Sequence, residues 1–567
     1  MGKGNRTRNS QYQNTYAMSG AGAAKAKRQP QKKDRTSAFV LIAIAALLVL
    51  SLTLVVFSDS GVKQRSTVVV SSESYDVTGT MLAYFEGAAY TNLFSQYYSL
   101  YYTYYYSGDA VSAYTMAQQT MSQYTLSDFF DSALATVKEL LVLADAAKEA
   151  NLTLDNEDLA SIEETIKSID GNYVANFGSG VKEKDVRAAL ELQALAGKYY
   201  TLYIEDAYDA ITDEDVAKYI EDNKANFYSA HALKLALTLN AADYTDDEDA
   251  FEAAKALADT YVAKLEAATN VNEFRTAVVE YIVARDFDAT VAAKVSTDLM
   301  PEADALAAHQ AQITENLVDV LVNGKEEGEV LYEDGTLEKA LATVADTLES
   351  TCATALASLE VSQNYVADST DEAVLWLINA ETAVGATKSV DASDDTKYSR
   401  TVYMMTEALH VESEETVNAG HILISADKST ATEAEIAAAK EKAEQIHATY
   451  LAGEKTKESF EKLAKENSSD GTTFYDNIAE GDLITEFNDW IFSEERTEIG
   501  ETTVVQTSYG YHVLYWDGEG DTTSVASAKD GIVSERYETY ITEGQKALKV
   551  NEKYVAKNTA ETETSAN

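Results

Sequence analysis

The chain has 567 residues, 46% of them hydrophobic and 10% aromatic, enough apolar material for folded cores and against wholesale disorder. At about 150 residues per domain this length suggests roughly three or four units. Asp and Glu total 94 against 45 Lys and Arg, a net charge of −49 that repels phosphate backbones and excludes nucleic acid as a partner. The single cysteine, Cys352, rules out an internal disulfide framework, a cysteine-based zinc site and an iron–sulfur cluster.

The charge is unevenly placed. Residues 1–37 hold nine basic groups, from Lys3 to Arg35, against one acid, Asp34. This basic tail precedes Ala38–Phe57, an uncharged and almost wholly apolar run. At 1.5 Å per residue the run spans about 30 Å, one hydrocarbon core. It is too long for a signal-peptide core, lacks an A-x-A-like cleavage site, and has no cysteine after it for a lipid. The expectation is a single-pass transmembrane helix (38–58) with the basic tail (1–37) in the cytoplasm and the acidic body outside the cell membrane.

Residues 59–75 are Ser-rich and polar and read as a linker. A helical stretch rich in tyrosine follows, from Tyr84 to Tyr106, its rings suited to packing between helices. The clearest helix runs from Ser127 to Ala150, with Phe130, Leu134, Val137, Leu141 and Ala144 on one face and Asn151 at the stop. Helices are predicted over Asp155–Ile169 and Glu183–Tyr200. Another begins at Thr212 and Asp215, a capping-box-like pair, and runs to Asn223.

Two later segments share a pattern. Ser229-Ala230-His231-Ala232-Leu233 and Ala419-Gly420-His421-Ile422-Leu423 each join small residues, a His and an apolar run. Each is followed by an acidic, Ala-rich helix (Asp247–Ala267 and Thr432–Ala452), a Phe-containing helix (Phe274 and Phe460), and a Trp followed by a Gly (Trp376 with Gly385, Trp490 with Gly500). The shared order marks an imperfect internal repeat whose first copy carries a helical insertion near residues 295–365. Ser527–Lys549 reads as a further helix. Residues 556–567 are polar and read as a disordered tail.

No H-E-x-x-H, G-x-S-x-G or Walker loop is present. His309 and His447 sit in polar helical context. His421 and His512 stand apart, in the apolar strands GHILIS and SYGYHVLYW. Between them come KLAKENSSDGT and GDLITEFNDWIF. This series, over residues 411–520, resembles parvulin-type peptidyl-prolyl isomerases: an opening H-I-L strand, helices, an L-A-x-x-x-S segment, a G-x-(M/L)-x-x-x-F segment and a closing G-Y-H strand. Thr485 stands where the family commonly has a proline, and the GTTFYDNIAEG loop lacks the usual double glycine.

The resemblance implies a catalytic set of His421, Asp470 and His512. It implies a proline-ring slot of Leu483 and Phe487, with Ile478 replacing another aromatic and Phe492 left to the core. It implies no metal and no cofactor. The flanking helices resemble those of the PrsA/SurA group of exported foldases, whose chaperone module is made from both chain ends. By that analogy residues 76–224 and 525–555 form such a module here. The expected fold class is therefore α+β: a transmembrane helix, a helical SurA-N-like chaperone module and two parvulin-like domains. The first of these, 225–410, is read as degenerate because KYSRTVYMM (397–405) has no His to match His512. The implied activity is isomerisation of X-Pro bonds in unfolded or newly exported polypeptides, with a non-catalytic holdase as the rival reading and a homodimer left open.

Overall fold

The computed structural model describes residues 66–89, 126–178, 180–244, 248–325 and 336–564. The basic tail, the apolar run 38–57 and most of the tyrosine-rich stretch lie outside these residues. Among the described residues no helix is long and apolar enough to cross a membrane. The chain divides into two compact units: residues up to Asp215 together with those from Lys529, and Val216–Ala528.

The first unit begins with β1 (Val68–Ser71) and β2 (Asp76–Thr78), an antiparallel pair. The expected linker therefore contains a strand. The β-branched run Thr67-Val68-Val69-Val70 favours extended backbone, and Val69 and Val70 are fully buried. The longer helices that follow are α1 (Leu126–Glu149), α2 (Asn156–Ile169) and α3 (Glu183–Asp209). The predicted stripe of α1 is buried at every position, and Asn151 closes the helix in the left-handed region at φ 58°. Asp155 caps α2, accepting from the backbone N–H of Glu157 and Asp158. Helix α4 (Asp213–Asp222) starts with the expected box: Thr212 Oγ1 accepts from Asp215 N–H, and Asp215 returns an acceptor to Thr212 N–H.

The second unit holds two four-stranded antiparallel sheets. The first is built from β3 (Tyr228–Asn240), α5 (Glu248–Glu266), α6 (Val271–Lys294), α7 (Ala303–Leu321), α8 (Leu337–Ala357), β4 (Glu360–Asn364), α9 (Glu372–Leu377), β5 (Thr387–Asp391) and β6 (Lys397–Val411). The second comprises β7 (Thr416–Ser425), α10 (Glu433–Ala452), α11 (Lys457–Asn467), β8 (Phe474–Ala479), α12 (Thr485–Ile491), β9 (Thr502–Gln506) and β10 (Gly510–Glu519). Their strand orders correspond, β4-β3-β6-β5 and β8-β7-β10-β9, with the opening strand paired to the closing one in both. Helices α7 and α8 have no counterpart in the second copy, and Leu317, Val344 and Leu348 bury them in the core around α6.

In the second sheet the period of two in β7 and β10 sorts side chains between two cores. Ile422, Ile424, Val513 and Tyr515 pack beneath α10 and α11, with Tyr450 and Phe460. Val417, Ala419, Leu514 and Trp516 face the other way, onto Phe487 and Ile491 of α12. His421 and His512 share the parity of this second set, so the alternation places both rings on the α12 face.

The chain then returns to the first unit through α13 (Thr523–Gln545), β11 (Lys549–Val550) and α14 (Glu552–Thr564). Strand β11 pairs with β1, Val70 opposite Val550. Tyr540 stacks on Tyr199 with ring centroids 6.3 Å apart, and Tyr537 meets Tyr200 edge-on at 5.3 Å. These contacts carry α3 nine residues beyond the predicted Tyr200. The tail expected to be disordered is helical to Thr564. Good helix formers continue the turn begun at Glu552, and Tyr554 and Val555 pack on the core beside Phe130.

Candidate active site

Two glycines bring the opening and closing strands together. Gly510 adopts φ +144°, and a Cβ there would lie 2.2 Å from the carbonyl oxygen of Ile424. Only glycine lets β10 start this close to β7. Gly420 faces the ring of Phe474, which a Cβ would meet at 2.7 Å. In the resulting register His421 lies opposite Leu514 and His512 opposite Leu423, so the histidines are diagonal neighbours on one face.

Their rings stack, with centroids 5.3 Å apart and planes 17° apart, and the Nδ1 atoms are separated by 3.0 Å. The protons can be placed from the outer partners. Nε2 of His421 lies 2.9 Å from the carbonyl oxygen of Thr472, which can only accept, so Nε2 carries the hydrogen. Nδ1 of His421 is then an acceptor, and His512 donates to it from its own Nδ1. Nε2 of His512 accepts in turn from Thr507 Oγ1 at 2.9 Å, and Thr507 Oγ1 accepts from the N–H of Tyr509. A directed chain of four hydrogen bonds thus crosses the site.

Both rings are neutral in this arrangement. Burial holds His421 below its ordinary value, opposed in part by the bond to Thr472 and the nearby Asp470. Burial first, and then the neighbouring His421, together pull His512 down to about 4. Asp470 sits on the loop after α11 with an oxygen 3.6 Å from His421 Nε2, so a carboxylate faces a neutral imidazole. Its side chain is 39% exposed, and its other oxygen accepts from the N–H of Thr472. The loop is tied to β7 by Ser468 Oγ, which accepts from Leu423 N–H.

Phe487 of α12 closes the apolar side. It is 3% exposed, with its ring 5.7 Å from His421 and edge-on to His512 at 6.2 Å. Half-buried Leu483 packs against the same cluster. Phe492, left to the core by the sequence, does so too. Ile478 pairs with Val417, four residues along β7 from His421, and is buried in the same cluster as Phe487 and Leu483. The aromatic beside His421 is Tyr475, half-buried on β8 with its ring 5.6 Å away. Burial and then Asp470 push its hydroxyl upward from the ordinary phenol value. The sequence reading missed Tyr475 and Thr507. FYDNIA does not alternate, because a register shift against β7 brings Tyr475 and Ile478 to one cluster, and no pattern pointed to Thr507.

A pair of imidazoles, an acid and a phenol therefore border an apolar patch of Phe487 and Leu483. The family model for the PPIC-type PPIase domain matches residues 403–517. That segment is a parvulin-type peptidyl-prolyl cis–trans isomerase domain. The chain is similar to the crystal structure of a peptidylprolyl isomerase, PrsA, from Bacillus anthracis, with 16% identity over 47% of this chain and 94% of that one. The TM-score is 0.15, so this likeness adds nothing to the family match. No curated protein matches the chain.

Proposed function

We propose that the chain is a membrane-anchored, extracytoplasmic peptidyl-prolyl isomerase and chaperone acting on newly exported polypeptides. The parvulin domain and its stacked, neutral histidine pair against Phe487 support the isomerase part. The uncharged run 38–57 behind nine basic residues supports the anchor and its orientation. The likeness of the flanking helices to exported foldases supports the chaperone part, with a unit built from both chain ends.

Isomerisation breaks no bond. The X-Pro amide must pass a twisted state that has lost its resonance, against a barrier of about 18–20 kcal/mol. Leu483 and Phe487 would seat the pyrrolidine ring, with Tyr475 beside it. His421, His512 and Asp470 would set the polarity at the rotating carbonyl, which carries less charge when twisted than when planar. A dry pocket that solvates the planar form poorly lowers the barrier. No group need act as a nucleophile, and two neutral imidazoles suit that requirement.

The first copy of the repeat lacks the pair. Met404 stands opposite Leu233 where His512 stands opposite Leu423, and Met404 is fully buried. This supports a non-catalytic role for residues 225–410 in client binding or spacing. The deciding experiment is proline-limited refolding of a model protein with the full chain and its His421→Ala and His512→Ala variants. Acceleration by the wild type and its loss in both variants supports the reading. Equal acceleration by all three overturns this site. Suppressed aggregation without acceleration would make the protein a holdase.

A further inference from the structure

A second histidine cluster lies in the first sheet, away from the parvulin pair. His231 on β3, His410 near the end of β6 and Glu412 just beyond it bring one donor atom each within 4.8 Å of the others. His231 Nε2 is 2.9 Å from Glu412 Oε2, and His410 Nε2 is 3.7 Å from the same oxygen. Glu407 Oε2 lies 3.8 Å from His231 Nε2 and 3.7 Å from His410 Nε2. With metal–ligand bonds of about 2.0–2.2 Å, the edge of a tetrahedron is about 3.3–3.6 Å. The observed separations bracket that length.

The second contacts of these ligands point the same way. His410 Nδ1 is 2.9 Å from the carbonyl oxygen of Ala408, which can only accept. In the neutral ring the hydrogen is therefore on Nδ1, and the lone pair of Nε2 is turned toward two carboxylates. Among the described residues no N–H or O–H group donates to it, so the neutral ring offers this lone pair, beside two carboxylates, to a cation. His231 Nδ1 is 3.1 Å from Ser362 Oγ, a hydroxyl able to accept its hydrogen and free Nε2 as a ligand. Ser229 Oγ donates to Glu412 and lies 3.3 Å from His231 Nε2. Metal-bound histidines characteristically hold their other nitrogen in this way.

The backbone is also shaped for the cluster. Residues 407 and 410 would face opposite sides of a regular strand. The pairing of β3 with β6 slips twice here, between Ser229 and His231 and again between His231 and Ala232, each time with an extra residue on β6. Paired bulges of this kind re-aim side chains. They let Glu407, His410 and Glu412 converge on His231. The side chains of His231, His410 and Glu412 are 30%, 39% and 55% exposed, which leaves a path from solvent.

We infer that His231, His410 and Glu412 form a binding site for a divalent transition-metal cation of the zinc class, with Glu407 completing the shell. Two imidazoles and a carboxylate suit zinc better than calcium or magnesium, which prefer all-oxygen shells. The sequence reading gave no metal site because the two histidines belong to the first and last strands of the domain.

The test is Zn2+ titration of the chelator-stripped full chain in excess Mg2+, which occupies the many surface acids, with Co2+ absorption reporting nitrogen ligation. One equivalent of Zn2+ should bind, with Kd in about the micromolar range or below. His231→Gln and His410→Gln should each weaken it by at least about 100-fold, and Ser362→Ala by about 10-fold. His309→Gln should leave it unchanged. Zn2+ should raise the unfolding temperature of the wild type and of His309→Gln, but not of the two ligand variants. Absence of tight binding by the wild type, or affinity that survives both ligand variants while their circular dichroism stays native, would overturn the assignment.

Discussion

His512 and His421 share one hydrogen between their Nδ1 atoms, 3.0 Å apart, and its direction is fixed from outside the pair by Thr472 and Thr507. Protonating His421 would set two Nδ1–H groups against each other, and protonating His512 would require the Thr507 hydroxyl to turn from donor to acceptor. Replacing either histidine with alanine leaves a buried nitrogen of the other unpaired, a cost of about 1–3 kcal/mol. Isomerase kcat/KM is expected to fall about 100-fold in both variants. Urea unfolding and the refolding assay separate the two effects.

Thr507→Val tests the chain itself. The substitution keeps shape but removes the hydroxyl that His512 Nε2 accepts from, in a residue with no exposed surface. Stability should drop by about 1–3 kcal/mol. Nitrogen chemical shifts of the imidazoles should show the His512 tautomer losing its preference. A merely structural threonine would leave those shifts in place.

The pair also sets a pH dependence. The folded His512 titrates near 4 against an ordinary 6.5, and His421 is lowered as well. Between those values the unfolded chain binds protons that the folded site refuses, so stability rises with pH through that window. The His512 contribution is fully present above about pH 6.5 and is lost as pH falls toward 4, at up to about 1.4 kcal/mol per pH unit, and His421 acts in the same direction. Unfolding at several pH values should show this slope, and His512→Ala should flatten it. Activity should be flat just above pH 6.5.

Leu483→Ala probes the apolar seat more cleanly than Phe487→Ala. Phe487 is buried, and its truncation costs about 3–5 kcal/mol in stability. Leu483 is half-buried, so its loss should leave the fold nearly intact while raising KM several-fold for proline peptides. Peptide kinetics check the split.

Gly510→Ala should be severe for its size. The new Cβ would strike the Ile424 carbonyl and hold an unfavourable φ, forcing β10 off β7. A loss of more than about 2 kcal/mol is expected by chemical denaturation, with activity falling because His512 moves with the strand.

The strongly periodic parts were legible from the residues alone. The stripe of α1, the cap of α4 and the shared plan of the two sheets follow from local spacing. His421, Asp470, His512 and Phe487 were reachable because each lies within a short pattern. What escaped depends on distant partners. Helix α3 runs on because Tyr199 and Tyr203 find Tyr540, and β1 is a strand because Val550 pairs with Val70. The bulges of β6 arise from pairing across a whole domain, so the company of His231 could not be read from its neighbours. Tyr475 comes beside His421 through the register shift between β7 and β8, which no local pattern shows.

The order β11-β1-β2 imposes a timetable on synthesis. Strand β1 lies in the middle of its sheet, yet one neighbour, Val550, is made almost five hundred residues after Val70. Until then the nascent polypeptide must carry β1 as a bare edge, an open template for pairing with other chains. The parvulin domain can mature first, so a folding helper of this design is competent in its catalytic part before its own opening strand has been sealed.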